Sequence, residues 1–215
     1  MSGPPPTFGT RLPRTIALIA AFLLLVVVAI NTLRTPGRSS SGPTAGSAMP
    51  VFAAPLARSR IDGDVNVATR RGQGAAGAVP ACAVPGAGVL RSCDLVRGRP
   101  AAIAFFTPGR GRCVDELDAL AQAARAVPGV GIAAVALRGD RGELRRLVGD
   151  RGWRFPVAYD RDAILANLYG VAVCPQVTFL RPGGRVDGTI VGTQTAAQLA
   201  ARLRALQRAA EAAGR

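Results

Sequence analysis

The sequence predicts an α/β domain with a mixed sheet covered by helices on both faces, preceded by one apolar N-terminal helix. Short apolar runs bounded by turn residues alternate with segments in which leucine and alanine recur at helical spacing. An uncharged apolar stretch lies near the N-terminus, and a segment rich in Pro, Gly, Ser and Ala follows it. We therefore expect an N-terminal arm (1–14), an apolar helix (15–33), a linker (34–80) and a folded domain (81–210).

The expected elements of the domain follow the order β-α-β-α-β-α-β-β-α. The strands are predicted at 101–107, Gly131–Leu137, 155–159, Gln176–Leu180 and Val186–Val191. The helices are predicted at 113–127, 142–149, 163–169 and 195–213. A turn at 181–185 separates the last two strands, so they are expected to pair as a hairpin at the edge of a partly parallel sheet.

The apolar segment 15–33 is predicted to be a single-pass transmembrane helix. Nineteen residues at about 1.5 Å each nearly cross a hydrocarbon layer of about 30 Å. A short basic arm usually stays in the cytoplasm, so we expect the domain to lie outside it, tethered to the cell membrane. A cleaved signal peptide is the alternative, but the small residues at 46–48 lie farther from the apolar run than such cleavage sites normally do.

The composition limits the possible chemistry. The chain has no histidine, which excludes Ser-His and Cys-His catalysis and imidazole metal sites. The formal net charge is +14 and every basic residue is an arginine, but the arginines are dispersed along the chain. We interpret them as solvated surface charge, and we expect no nucleic-acid partner, no cofactor and no metal.

Two stretches carry a resemblance to a known family. The strand AAIAFFT leads through a loop into a helix beginning RCVDEL, and GVAVCPQVTF precedes the hairpin. These stretches and the order of elements resemble the thioredoxin superfamily over about residues 90–210, and within it the membrane-tethered thiol-disulfide and peroxiredoxin-like redoxins. The resemblance implies a three-layer sandwich with a central mixed sheet. It also implies a cis peptide bond before Pro175, in a loop that faces the start of the first domain helix.

The active-site motif departs from the family pattern. Where thioredoxins carry C-x-x-C, this chain has Arg110-Gly-Arg112-Cys113, so only the second cysteine is present. Gly109 replaces the aromatic residue that usually precedes the motif, and Ala104 replaces the buried acid. The peroxiredoxin pattern also fails, since Arg110 stands where that family has Thr or Ser. A conventional dithiol enzyme is therefore not expected.

Cys113 and Cys174 remain as the candidate redox couple. Cys113 is expected at a helix N-terminus between Arg110 and Arg112, a setting that favours thiolate. The resemblance places Cys174 opposite, beside Pro175. We predict that Cys113 attacks and Cys174 resolves, with the two arginines as substitutes for the missing peroxide-polarising groups. A permanent Cys113–Cys174 bridge and two inert buried thiols are the alternatives.

Cys82 and Cys93 form the other pair, separated by a Pro- and Gly-containing stretch that suits a hairpin. A structural disulfide is expected in an exported domain, and free or shuttling thiols are the alternative. The acids that follow Cys113, namely Asp115, Glu116 and Asp118, are interpreted as surface charges that complement the helix dipole. Proton transfer to the thiol by Glu116 is the alternative.

The sequence thus favours an extracytoplasmic, membrane-anchored, thiol-based redox protein of the oxidoreductase class. Thiol-disulfide exchange and peroxiredoxin-like peroxide reduction are the two candidate reactions. The expected partners are the membrane, protein thiols or disulfides or a peroxide as substrate, and a redox partner protein. The competing interpretation is a non-catalytic binding or scaffolding module that kept the thioredoxin fold and lost the reactive dithiol.

Overall fold

The computed structural model describes residues 14–34, 41–61, 63–67 and 77–214. The chain divides into two units, 1–38 and 39–215, which are considered separately. The first contains helix α1 (Arg14–Arg34), whose apolar side chains are largely exposed. Among the described residues, we find no helix both long and apolar enough to cross a membrane. The transmembrane anchor therefore stays a prediction.

The second unit is built on a five-stranded mixed sheet. Its strands are β3 (Ala101–Phe106), β4 (Gly131–Leu137), β5 (Val157–Asp160), β6 (Gln176–Leu180) and β7 (Val186–Val191). They lie side by side in the order β5-β4-β3-β6-β7. The β3–β4 and β4–β5 pairs are parallel, whereas β6 runs antiparallel to both β3 and β7. The predicted mixed sheet and its closing hairpin are confirmed.

Helices and loops cover both faces of this sheet. The domain helices are α2 (Ser92–Leu95), α3 (Gly111–Ala126), α4 (Arg141–Arg151), α5 (Ile164–Leu168) and α6 (Ala196–Ala213). One core layer joins α3, α4 and α6 to the sheet face that carries Ala102, Ala104 and Phe106. The opposite layer joins α2 and α5 to the face that carries Ala101, Ile103 and Phe105. This alternation along β3 follows from the period of two in a strand, and it places β3 at the centre of three layers.

Part of the predicted linker, residues 41–61 and 63–67, packs onto the domain. Strand β1 (Ala53–Pro55) pairs antiparallel with β2 (Val89–Arg91), and the Phe52 side chain is fully buried beneath it. The strand has only three residues, too few to show a periodic pattern. Its burial is set by partners far along the chain, which composition does not reveal. Residues 68–76 of the predicted linker lie outside the described residues.

Candidate functional site

The candidate site begins where β3 gives way to α3. Strand β3 ends at Phe106, and the loop turns at Gly109 with φ of +80°, a conformation that favours glycine. Gly109, which stands where the family resemblance implies an aromatic residue, therefore adopts a backbone conformation that suits glycine. Helix α3 starts at Gly111 with Arg110 as its N-cap, and Cys113 is its third residue.

The other half of the site is the loop between α5 and β6. Tyr169 ends α5 and is completely buried, and its backbone C=O accepts a hydrogen bond of 3.1 Å from Gln176 Nε2 at the start of β6. The chain between them carries Cys174 and Pro175. The Cys174–Pro175 peptide bond is cis, as predicted, and Pro175 is buried.

The structure joins the two halves by a disulfide between Cys113 and Cys174. Their Cα atoms lie 5.6 Å apart although 61 residues separate them in sequence. That distance falls within the usual range for disulfides. The predicted proximity of the two sulfurs across the helix start is therefore present in the structure.

The two cysteines differ in exposure. Only 3% of Cys113 is exposed, and it belongs to the core layer beneath α3. Cys174 is partly buried at the edge of that layer, beside the exposed Val173. A cleft of about 490 Å³ opens over the disulfide. Its lining consists of Thr107, Arg110, Gly111, Arg112, Cys113, Ala172, Val173 and Cys174.

The cleft is electropositive. Arg110 and Arg112 are both exposed at its mouth, and no carboxylate is among the described residues that line it. The positive end of the α3 dipole points toward the same place, since the cleft lies over the first turn of that helix. An anion held here, including a thiolate, is stabilised by both charges and dipole.

Glu116, expected at the surface, is instead buried one turn below Cys113. Only 2% of it is exposed, and its Oε2 accepts a hydrogen bond of 2.8 Å from the Gln194 backbone N–H. Its Oε1 has no hydrogen-bond partner among the described residues. Burial raises the pKa of this carboxyl, while the Gln194 bond opposes that rise. The surface interpretation therefore fails for Glu116, because the β7–α6 connection that covers it comes from 78 residues away.

Cys82 and Cys93 form a second disulfide, with Cα atoms 5.7 Å apart, as the hairpin interpretation predicts. They lie before β2 and within α2, and neither is part of the cleft lining. Arg91 Nη1 closes the same turn by donating to the Val84 carbonyl at 3.0 Å. Within the described part of the chain, no three cysteine or carboxylate side chains are grouped as a metal site would require.

Sequence reasoning identified Cys113, Cys174, Arg110, Arg112 and Pro175. The structure places the two cysteines and the two arginines in the lining of one cleft, and it buries Pro175 directly after Cys174. It missed the apolar wall of that cleft. Val173 is 56% exposed beside Cys174, and Ala172 precedes it in the cleft lining. The position of Ala172 and Val173 directly before the predicted cis-proline was the one available signal.

Comparison of the sequence with known proteins gives partial matches. No known protein-family model matches the chain. The soluble secreted antigen MPT53 of Mycobacterium bovis and of Mycobacterium tuberculosis is 32% identical over 89 residues, which cover 41% of this chain. Those residues cover 51% of MPT53, so the chain spans about half the length of the curated relatives it matches.

Solved structures match the folded unit. A secreted Mycobacterium tuberculosis disulfide oxidoreductase, described as homologous to E. coli DsbE, has 27% identity and a TM-score of 0.50. That match covers 55% of this chain and 89% of the other. DsbF of Mycobacterium tuberculosis has 26% identity and a TM-score of 0.51, covering 55% and 87%. A putative thiol:disulfide interchange protein DsbE from Chlorobium tepidum has 21% identity, a TM-score of 0.55, and covers 79% and 97%.

Proposed function

Because the chain belongs to the thioredoxin-like superfamily, we propose that it catalyses thiol-disulfide exchange through the Cys113–Cys174 couple. The observation that carries this proposal is the disulfide that joins the start of α3 to the residue before cis-Pro175. Both cysteines line an open cleft, and Cys174 is only partly buried, so an incoming thiol has access to the bond. A purely structural bridge would not need such access.

The reaction is a reversible exchange of one disulfide for another. In the oxidising direction, a substrate dithiol transfers two electrons to the Cys113–Cys174 bond and leaves as a disulfide. The protein is left with two reduced thiols. In the reducing direction, the reduced pair converts a substrate disulfide into two thiols and regenerates its own bond. Protein thiols or disulfides are the substrate class, and a second redox protein resets the couple.

The location is part of the proposal: the redox domain lies outside the cytoplasm, anchored to the cell membrane by the apolar segment 15–33. The exposed apolar side chains of α1 and the paired state of all four cysteines support it. The MPT53 relatives are described as secreted. Carbonate extraction of membranes should leave the full chain in the pellet. Protease added to intact spheroplasts, whose outer barriers have been removed, should digest the domain. Release of the chain by carbonate would contradict the anchor.

The exchange activity is tested with the full oxidised chain and a reduced dithiol peptide. Wild-type chain should oxidise the peptide catalytically when an oxidant is supplied. Cys113→Ser and Cys174→Ser should each lower turnover by about 100-fold or more, because neither can complete the two-step exchange. The double variant Cys82→Ser/Cys93→Ser is the matched control, since it removes a disulfide outside the cleft. Equal turnover in wild type and Cys113→Ser would contradict the proposal.

Peroxide reduction is the second candidate, because Arg110 and Arg112 supply hydrogen-bond donors at the mouth of the cleft. The same protein set, reduced and mixed with hydrogen peroxide, tests it by the rate at which free thiols disappear. A binding module that lost its dithiol is the remaining alternative. If the protein is such a module, wild type and every variant should fold, but none should show turnover or loss of free thiols.

A further inference from the structure

We propose that Cys174, rather than Cys113, is the sulfur that bonds to the substrate, and that Cys113 is the buried leaving and resolving thiol. This inference rests on the proposed exchange function and adds the order of its steps. It reverses the order predicted from the sequence, in which the helix position alone indicates Cys113 as the attacking thiol.

The difference in burial is the first argument. Exchange requires the attacking sulfur to approach along the line of the disulfide bond, so the attacked sulfur must be reachable from solvent. Cys113 is 3% exposed and packs in the core layer with Val114 and Leu117 of its own helix. Cys174 lies at the edge of that layer, on a loop whose preceding residues Ala172 and Val173 are exposed. An incoming thiolate therefore reaches Cys174 first.

The leaving group is the second argument. Exchange is faster when the departing thiol is stabilised as a thiolate. Cys113 occupies the third position of a 16-residue helix, where the dipole favours negative charge. No side chain caps this helix within the described residues, and the Cys113 N–H donates to the Arg110 carbonyl, so we attribute the stabilisation of the departing sulfur to the helix dipole. Cys174 lies in the loop between α5 and β6 and is not itself part of a helix.

The surface around Cys174 is the third argument. Val173 presents an exposed apolar side chain next to the sulfur, and Arg110 and Arg112 stand across the cleft. The arginines attract an approaching thiolate, while Val173 offers a contact for the apolar part of a substrate segment. Val173 and the two arginines thus line the path by which a substrate reaches Cys174, whereas Cys113 is buried.

The oxidising step then balances as follows. A substrate thiolate attacks Cys174 Sγ, a new sulfur–sulfur bond forms to Cys174, the Cys113–Cys174 bond breaks, and Cys113 departs as a thiolate. A second substrate thiolate attacks the substrate sulfur of the mixed disulfide. Cys174 then departs as a thiolate, and the substrate leaves as a disulfide. The substrate loses two electrons, the protein gains two, and the two substrate protons pass to solvent or to the new thiolates.

The test uses the full chain in two reduced variants, Cys113→Ser and Cys174→Ser, each mixed with oxidised glutathione. The Cys113→Ser variant should form a stable glutathione adduct on Cys174 at least about tenfold faster than Cys174→Ser forms one on Cys113, because the buried thiol is shielded. Peptide mass spectrometry identifies the modified cysteine. In denaturant the two variants should react at similar rates, which shows that the fold causes the difference.

A faster adduct on Cys113 in the folded state would overturn the proposed order. Equal folded-state rates would overturn it as well. Exchange by the wild-type chain distinguishes this failure from a failure of the proposed function. If wild type exchanges and Cys113 carries the adduct, only the order is wrong. If wild type forms no mixed disulfide and does not oxidise dithiols, the exchange function itself is contradicted.

Discussion

At the scale of single residues, Tyr169 connects residues 41–61 to the loop that carries Cys174. Its ring lies 4.7 Å from the ring of Phe105 and 6.0 Å from that of Phe52, between centroids. Its hydroxyl donates a hydrogen bond of 2.7 Å to the Pro50 carbonyl. This fully buried side chain therefore ties two segments that are 119 residues apart.

Tyr169→Phe should lower the free energy of unfolding by about 1–2 kcal/mol, because the Pro50 carbonyl loses its partner while the ring packing stays. Denaturant unfolding measures the loss, and hydrogen exchange should rise within residues 41–61. Tyr159→Phe is the matched control, since its hydroxyl donates a bond of the same length to the Gly139 carbonyl, outside residues 41–61. Unchanged exchange in 41–61 for Tyr169→Phe would contradict this role.

At the scale of elements, α6 depends on a reciprocal cap at its N-terminus. Thr195 Oγ1 accepts a hydrogen bond of 3.2 Å from the Gln198 N–H, and Gln198 Oε1 accepts one of 2.8 Å from the Thr195 N–H. The helix packs on α3 through Leu199, Leu203 and Leu206. Its start follows Gln194, whose N–H holds Glu116. The cap therefore helps to position Gln194 over Glu116 and α6 against α3, the helix that carries Cys113.

Thr195→Ala should lower the free energy of unfolding by about 1 kcal/mol, the usual effect of removing such a cap. Thermal or urea unfolding measures it. The control is Thr193→Ala, two residues earlier and exposed. A loss of equal size in both variants would show that the effect does not come from the cap.

The sequence predicted the elements of residues 101–213 because β3 to β6 are short, mostly apolar runs, β7 follows a turn, and each long helix repeats apolar residues on one face. The observed strands β3, β4, β6 and β7 begin where they were expected. Strand β5 starts two residues later than predicted, after Pro156, which has no N–H to contribute to a ladder. The pairing of Cys113 with Cys174 came from the family resemblance, since no local pattern relates residues 61 apart.

The rest depended on tertiary contacts that no local pattern encodes. The segment 41–67 has the composition of a linker, yet Phe52 and Ala54 complete the core on one face of the sheet. Glu116 stands among acids at the start of a helix, where surface charges are usual, and its burial depends on Gln194. In both cases the partner lies far along the chain.

At the scale of the whole molecule, several buried acids couple folding to pH. Asp160 is completely buried, and its oxygens accept hydrogen bonds from the Ile164 and Leu165 N–H groups. Burial, together with the nearby charge of Asp64, raises the pKa of Asp160 to about 6. Burial also raises the pKa values of Asp64 and Glu116. The folded chain therefore binds protons more tightly than the unfolded chain between about pH 4 and pH 6.

An acid with a raised folded-state pKa contributes most stability when it is protonated, and that contribution is lost as the pH rises through the folded value. The free energy of unfolding should therefore increase by about 1–3 kcal/mol as the pH falls from about 8 to about 5. Urea unfolding across that range measures the slope. Asp160→Asn should reduce the slope of the free energy of unfolding against pH, even if the substitution also changes the stability at every pH. A wild-type stability that falls over this range would contradict the expectation.

The 61-residue separation of Cys113 and Cys174 makes the oxidation state of the couple a determinant of how long the protein survives. Closing a loop of that length restricts the unfolded chain by about 4 kcal/mol in the chain-entropy model, against under 2 kcal/mol for a bond that spans two intervening residues. Each reduction therefore leaves a chain that opens more often, and cellular proteases act on opened chains. A cell that keeps the couple reduced would clear this protein sooner than a cell that keeps it oxidised.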